Sequence, residues 1–273
     1  YFMNMESYEQ VELDESQIKN EVKFLKEGLE VYITFYESEM LGIELPEKIL
    51  DLVLKCRHIE CVGFHCHIGS QVFDSKAFKK ASHIMLEFCA QMKVKFGFVT
   101  KELNLGGGFG VQYLDEDPTF DIDLNMGILS KEILDTCESL KLDLPKILFE
   151  PGRSIVGDAG LTLYHVNSVK TILHGHTYVG IDGGMTDNPR YALYKSKYTV
   201  VCANKMNEIH VLPSVIAGRC CESGDLIAKD VCLPESIKRD DLVAVLTTGA
   251  YNYSMASNYN RFGKPAVVML NKE

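Results

Sequence analysis

Cys61-Val-Gly-Phe-His-Cys-His67-Ile-Gly-Ser70 decides how the first half of this chain is read. Its short length and its histidines two apart predict a strand over 61–67, with His65 and His67 on one face. Asp74 then stands where an N-cap belongs, and Phe78, Ala81, Met85, Phe88, Cys89 and Met92 recur at helical spacing. The alternation continues. Glu102-Leu-Asn-Leu105 predicts a short strand running into Gly106-Gly-Gly-Phe-Gly110. An amphipathic helix over 122–140 follows, weakened at Gly127. Lys146-Ile-Leu-Phe149 predicts a further strand, running into Glu150-Pro-Gly-Arg153. Each candidate polar group falls at the C-terminal end of a strand, where (β/α) barrels carry their active sites.

Upstream, 16–26 and 46–55 predict helices, 30–35 a strand, and 1–5 the end of another. That makes four or five barrel strands where closure takes about eight. An open part-barrel presents a raw parallel edge. Past Gly160 the texture changes. Short β-rich runs at 161–169, 178–181, 198–202, 211–217, 242–247 and 266–270 are separated by Gly, Asn, Asp and Pro. The fold class is therefore α/β plus β. A partial (β/α)8, TIM-type barrel over 1–157 is followed by an antiparallel β-sandwich or barrel-like domain over 158–273.

The bulk numbers narrow the function. With 273 residues, 46% of them hydrophobic, the chain has a real core to build. A formal charge of −10 argues against nucleic acid and anionic membrane surfaces as partners. No apolar run approaches the roughly 20 residues of a membrane span, and no secretory signal opens the sequence. Nine scattered cysteines without a CxxC read as reduced thiols of a cytoplasmic protein, not as a disulfide framework or zinc site.

The candidate chemistry is spread over several motifs, each with a bland alternative. His65 and His67 suit an imidazole stacked on a flat cofactor with Ser70 near a phosphate; a structural pair is the alternative, and no third metal ligand is evident. Gly106-Gly-Gly108 would let backbone N–H groups approach a phosphate, or is simply a flexible loop. Glu150 suits a carboxylate facing a pyridine nitrogen, and Arg153 suits bidentate anion binding; a strand-end turn with a surface ion pair is the alternative. Arg190 and Tyr194, four apart, form a carboxylate clamp or a surface pair. Cys221-Glu222 pairs a thiol proton donor with a carboxylate, although most buried cysteines only pack. His174-Gly-His176 reads as an exposed turn.

Together the motifs resemble the diaminopimelate decarboxylases, of the alanine-racemase-like, pyridoxal-phosphate-dependent decarboxylases that also act on ornithine and arginine. The matching segments are Gly63 to Gln71, Leu103 to Gly110, Glu150 to Val156, Asp182 to Tyr194, Cys220 to Asp225 and Gly249 to Arg261. The resemblance implies roles residue by residue. His67 would stack on the pyridine face and Glu150 would face its nitrogen. Gly107, Gly108, Gly152, Arg153 and Tyr251, with Ser70, would hold the phosphate of pyridoxal 5′-phosphate. Arg153, Arg190, Tyr194, Glu222 and Tyr251 would grip a small amino-acid substrate. Cys221 would donate the proton, with Glu222 beside it, reaching into the partner subunit's site of a homodimer. The reaction implied is decarboxylation of meso-2,6-diaminopimelate to L-lysine.

Three family features have no match here: the Schiff-base lysine on the first barrel strand, the N-terminal segment that completes the β domain, and Arg-x-Asn-Pro after the fifth strand. The chain is thus expected to be roughly the C-terminal two-thirds of such an enzyme. The alternatives are a non-catalytic, decarboxylase-like partner subunit, and a related ornithine, arginine or polyamine-precursor decarboxylase.

Overall fold

The computed structural model describes residues 2–3, 10–11, 29–35, 44–173 and 175–271. They fall into two compact units, one within Tyr1–Gly110 and Phe120–Pro151, the other within Val111–Thr119 and Gly152–Glu273.

The first unit is built on a parallel four-stranded sheet in the order β3 (Leu29–Phe35), β4 (Ile59–Cys66), β5 (Glu102–Asn104), β6 (Lys146–Leu148). Helix α1 (Glu44–Val53) links β3 to β4, α2 (Ser75–Phe96) links β4 to β5, and α3 (Ile122–Leu140) links β5 to β6. This strand–helix repeat is the partial (β/α) barrel. Two short strands, β1 (Phe2–Met3) and β2 (Gln10–Val11), pair with each other antiparallel. Of the 1–5 stretch expected as the end of a strand, Phe2–Met3 is a strand, and its described partner runs antiparallel to it. The helix expected over 16–26 lies outside the described residues.

The helices start and stop where their sequences say. Asp74 caps α2 by accepting from the Lys76 N–H at 2.9 Å, and Gly97, at φ 67°, ends it. Asp121 caps α3 through the Leu124 N–H at 2.9 Å. Gly127 leaves α3 unbroken; a Cβ there would meet nothing within 4 Å. The apolar stripes of both helices pack on the sheet. Phe64, Leu86, Met92 and Leu103 are fully buried, and Phe64 meets Phe88 edge-on at 5.0 Å. Gly63 is needed where β4 passes β5, because a Cβ there would lie 1.7 Å from the Glu102 carbonyl oxygen.

The second unit carries a six-stranded sheet, in the order β11-β10-β8-β7-β12-β9. Its strands are β7 (Thr162–Thr171), β8 (Thr177–Ile181), β9 (Val200–Cys202), β10 (His210–Ala217), β11 (Leu226–Pro234) and β12 (Leu242–Val245). All pairings are antiparallel except β8 with β10, which run parallel. Val179, Ile181, Ile216, Ile227 and Leu233 close its core. Two expectations change here. The 266–270 run is exposed and forms no strand; its apolar, β-branched composition meets no paired edge among the described residues. A strand the sequence reading omitted, β11, stands at one end of the sheet; its pattern is interrupted by Lys229-Asp230, with Asp230 at φ 58°.

Short helices α4 (Arg153–Val156), α5 (Arg190–Tyr194) and α6 (Asn252–Met255) decorate this unit and carry several candidate residues.

Candidate active site

In the first unit the ends of β4, β5 and β6 converge, and glycine makes the convergence fit. A Cβ on Gly107 would lie 2.1 Å from the Glu150 carbonyl oxygen, and one on Gly108 would lie 2.1 Å from that of Gly69. Gly106 and Gly108 also sit at φ 69° and 95°, in the region that favours glycine. The run is therefore a packing requirement, not a slack loop. It sets three side chains on one rim.

Glu150 follows β6 with its side chain 44% exposed, so part of its carboxylate stays open to an outside partner. Its Oε1 accepts from Asn104 Nδ2 at 2.8 Å. Its Oε2 lies 3.3 Å from Nε2 of the buried His65. Burial lowers the pKa of that imidazole, against the pull of Glu150. Asn104 also accepts from the Gly106 N–H at 2.9 Å, so one amide ties the glycine loop to the carboxylate. His67 is half-buried just past β4, and its Nδ1 accepts from the Gly107 N–H at 3.2 Å. That bond leaves the proton of the neutral ring on Nε2 and fixes the ring's orientation. His65 and His67 do not serve one function: the first supports Glu150, the second rests on the glycine loop. Ser70 is exposed on the same loop.

The second unit gathers the cationic and aromatic candidates. Arg153 begins α4 and is buried; its Nη1 donates to Tyr113 Oη at 2.5 Å. Its guanidinium lies 5.7 Å from the Tyr113 ring centre and 5.2 Å from that of Tyr251. Gly152 leaves room for this, since a Cβ there would approach the Tyr251 hydroxyl to 3.1 Å. Arg190 opens α5, with its guanidinium 5.3 Å from the Tyr194 ring centre and 6.0 Å from that of Tyr251. Arg190 is 9% exposed, and its Nε finds no hydrogen-bond partner among the described residues. A buried guanidinium with a spare donor suits an anionic guest. The structure thus brings Arg153, Arg190, Tyr194 and Tyr251 together.

Cys221 and Glu222 stand on the loop between β10 and β11. Cys220 is buried, whereas Cys221 is exposed with φ 57° and Glu222 is exposed. Asp225 braces the loop from below: Met185 N–H donates to Oδ1 and Cys220 N–H to Oδ2, each at 2.6 Å. Burial pushes the Cys220 thiol up. Tyr259 Oη donates to Glu222 Oε1.

Sequence reasoning missed Asn104, Tyr113, Asp225 and Tyr259, and it gave His65 no role of its own. Asn104, Asp225 and Tyr259 lie inside the motifs Leu103 to Gly110, Cys220 to Asp225 and Gly249 to Arg261, whereas Tyr113 had no local signal. Among the described residues no cluster of three or more His, Cys, Asp or Glu side chains is placed to hold a metal ion. Among them, too, no helix is long and apolar enough to cross a membrane.

These side chains have the chemistry that a flat heteroaromatic phosphate requires. A braced, partly open carboxylate suits a ring N–H, a fixed imidazole suits a ring face, and a buried arginine between tyrosines suits an anion. The residues fit. The first unit is a part-barrel with this rim, and the second is a β unit that carries the arginine and tyrosine cluster. The chain belongs to the family described as pyridoxal-dependent decarboxylase, pyridoxal binding domain, which matches residues 18–157.

Among curated relatives it is 44% identical over 244 residues to the diaminopimelate decarboxylase of Bacillus subtilis (strain 168), covering 88% of this chain and 55% of that protein. It is 41% identical over 282 residues to that of Staphylococcus aureus (strain COL), covering 99% of this chain and 66% of that protein. Among solved structures, the diaminopimelate decarboxylase of M. jannaschii superposes with a TM-score of 0.73 at 33% identity, over 82% of this chain and 51% of that one. Its complex with L-lysine gives 0.71 at 33% identity, over 80% and 49%. The chain therefore spans between about half and two-thirds of the length of these relatives.

Proposed function

We propose that this chain acts as part of a homodimeric, cytoplasmic diaminopimelate decarboxylase that binds pyridoxal 5′-phosphate and forms L-lysine from meso-2,6-diaminopimelate. The observation that carries the reading is the Glu150 carboxylate, held between Asn104 and His65 at the end of β6 yet open on one side. When bound, the cofactor supplies a protonated ring that accepts the electron pair left by departing carbon dioxide.

The chain's own residues have the remaining tasks. Glu150 accepts the ring N–H and, as an anion, keeps that proton in place. His67, oriented by the Gly107 N–H, covers the ring face. Gly107, Gly108, Gly152, Arg153 and Tyr251 bind the phosphate, with Ser70 assisting. Arg190, with Tyr194 and Arg153, takes the substrate's distal carboxylate, which suits a buried guanidinium with a spare Nε donor. Glu222 takes the distal ammonium. The Sγ–H of Cys221 gives its proton to the carbon that lost its carboxyl. Exposure of Cys221 and Glu222 on one loop supports their delivery to a neighbouring subunit's site. Nine unpaired cysteines support a reducing compartment.

The test is a chimera in which this chain replaces the aligned part of the B. subtilis relative. Carbon dioxide and L-lysine released from meso-diaminopimelate are the expected result. A cofactor-loaded chimera that is inert supports the non-catalytic alternative. Faster turnover of L-ornithine or L-arginine supports a different substrate.

A further inference from the structure

The turn that follows α6 grips the Cys221-Glu222 loop at several points. Tyr259 Oη donates to Glu222 Oε1. Asn260 Nδ2 donates to the Cys220 carbonyl at 2.7 Å, which sets the peptide plane entering Cys221. The Arg219 guanidinium stacks 4.2 Å from the Phe262 ring centre. The turn is itself fixed. Asn258 Nδ2 bonds to the Phe262 carbonyl at 2.8 Å, and the Ser257 N–H donates to the Thr186 carbonyl at 2.8 Å. Asn260 and Arg261 hold φ of 53° and 62°, a conformation that aims the Asn260 amide back at the loop.

Asp225 holds the same loop independently, through the Cys220 N–H. An isolated exposed hydrogen bond orders little, because two free side chains must be held for one bond. Here the donor is carried on a main chain already tied down, so the ordering falls mainly on Glu222. The Glu222 carboxylate, through the hydrogen bond it accepts, raises the pKa of the Tyr259 hydroxyl.

We propose that Tyr259 and Asn260 are positioning residues that hold the Cys221 thiol and the Glu222 carboxylate in working orientation. With Oε1 occupied by Tyr259, Oε2 of Glu222 is the oxygen presented to a cationic group. The inference rests on the proposed roles of Cys221 and Glu222, and its test has one arm independent of them.

In that arm, the chain and its Tyr259→Phe and Asn260→Ala variants are treated with iodoacetamide. Alkylation is followed at Cys221 and at Cys232, an exposed thiol on β11 that serves as internal control. Each variant should alkylate Cys221 roughly fivefold faster, the effect of losing one exposed bond to the loop, with Cys232 unchanged. An unchanged Cys221 rate overturns the proposal. An equal rise at both thiols also overturns it, since that is general loosening.

In the second arm, Tyr259→Phe is placed in the B. subtilis chimera. The KM for meso-diaminopimelate should rise about fivefold with kcat within about twofold, whereas a merely structural loss would lower the active fraction and leave KM alone. An unchanged KM in an active chimera overturns the link to Glu222. An inactive parent chimera instead defeats the functional reading, and the alkylation arm then decides the clasp on its own.

Discussion

Asp225→Asn changes the shape of one buried side chain by almost nothing and should still be costly. Asp225 is 3% exposed, and its carboxylate accepts from two main-chain N–H groups, those of Met185 and Cys220, both at 2.6 Å. An asparagine keeps one acceptor oxygen and turns an NH2 toward the other N–H. One charge-assisted bond is lost, about 1.5–3 kcal/mol, and one buried donor is left unpaired, about 1–3 kcal/mol. Relief by a water is blocked. Gly184 and Gly218 already press on the carboxylate so closely that a Cβ on either would come within 2.8 and 2.3 Å of its oxygens. The total is about 3 kcal/mol. For a unit of this size that lowers the melting temperature by about 10 °C. Far-UV circular dichroism measures the melt, and hydrogen exchange at the Met185 and Cys220 amides reports the site, with protection expected to fall about a hundredfold. A melting temperature within about 2 °C of the parent, with unchanged protection at both amides, would refute the reasoning.

Other perturbations have equally definite outcomes. Leu103→Ala, at a fully buried position in β5, should destabilise the first unit by about 3 kcal/mol, read from urea denaturation. Asp241 is buried and pairs with Lys205 at 2.7 Å. Burial pulls its pKa up, but hydrogen bonds from Lys205, Asn204 and the Lys238 N–H outweigh that and hold it below the ordinary carboxyl value of 3.8. A depressed folded pKa stabilises above the unfolded value and loses that contribution as pH falls through the folded one. The stability gap between the parent and Asp241→Asn should therefore be full near neutrality and close as pH drops below about 4; a gap independent of pH would contradict it. Arg190→Lys in the chimera should raise the KM for meso-diaminopimelate by at least about tenfold, because an ammonium cannot reproduce the stacked, forked donor. Equal KM values would remove Arg190 from the substrate site.

The barrel half was legible because its signals are local. Asp74 as a cap, the apolar stripes of α2 and α3, and strands running toward His67, Gly106 and Glu150 all sit in short windows of sequence. The placement of Arg190 with Tyr194 was legible too, from helical spacing. What escaped depends on register between distant segments. Asn104 supports Glu150 only because β5 lies beside β6 with Asn104 opposite Leu148. Tyr113 meets Arg153 from a loop 40 residues earlier in the chain. Tyr259 reaches Glu222 from 37 residues later. Strand β11 was hidden by Lys229-Asp230 and its left-handed Asp230, whereas 266–270 has strand composition without a partner among the described residues. The glycine run reads as a phosphate loop, and the structure adds a packing reason for it: backbone atoms of Glu150 and Gly69 fill the space that side chains at Gly107 and Gly108 would need.

The central claim is that Glu150 acts on a bound pyridoxal ring, and one comparison tests it most directly. In the B. subtilis chimera, Glu150→Gln preserves shape and the contact with Asn104 but removes the charge. Bound cofactor, measured by absorbance, should stay near one per site, while kcat on meso-diaminopimelate should fall by about a hundredfold or more. A Glu150→Gln enzyme with normal cofactor content and a kcat within about threefold of the parent would contradict the account.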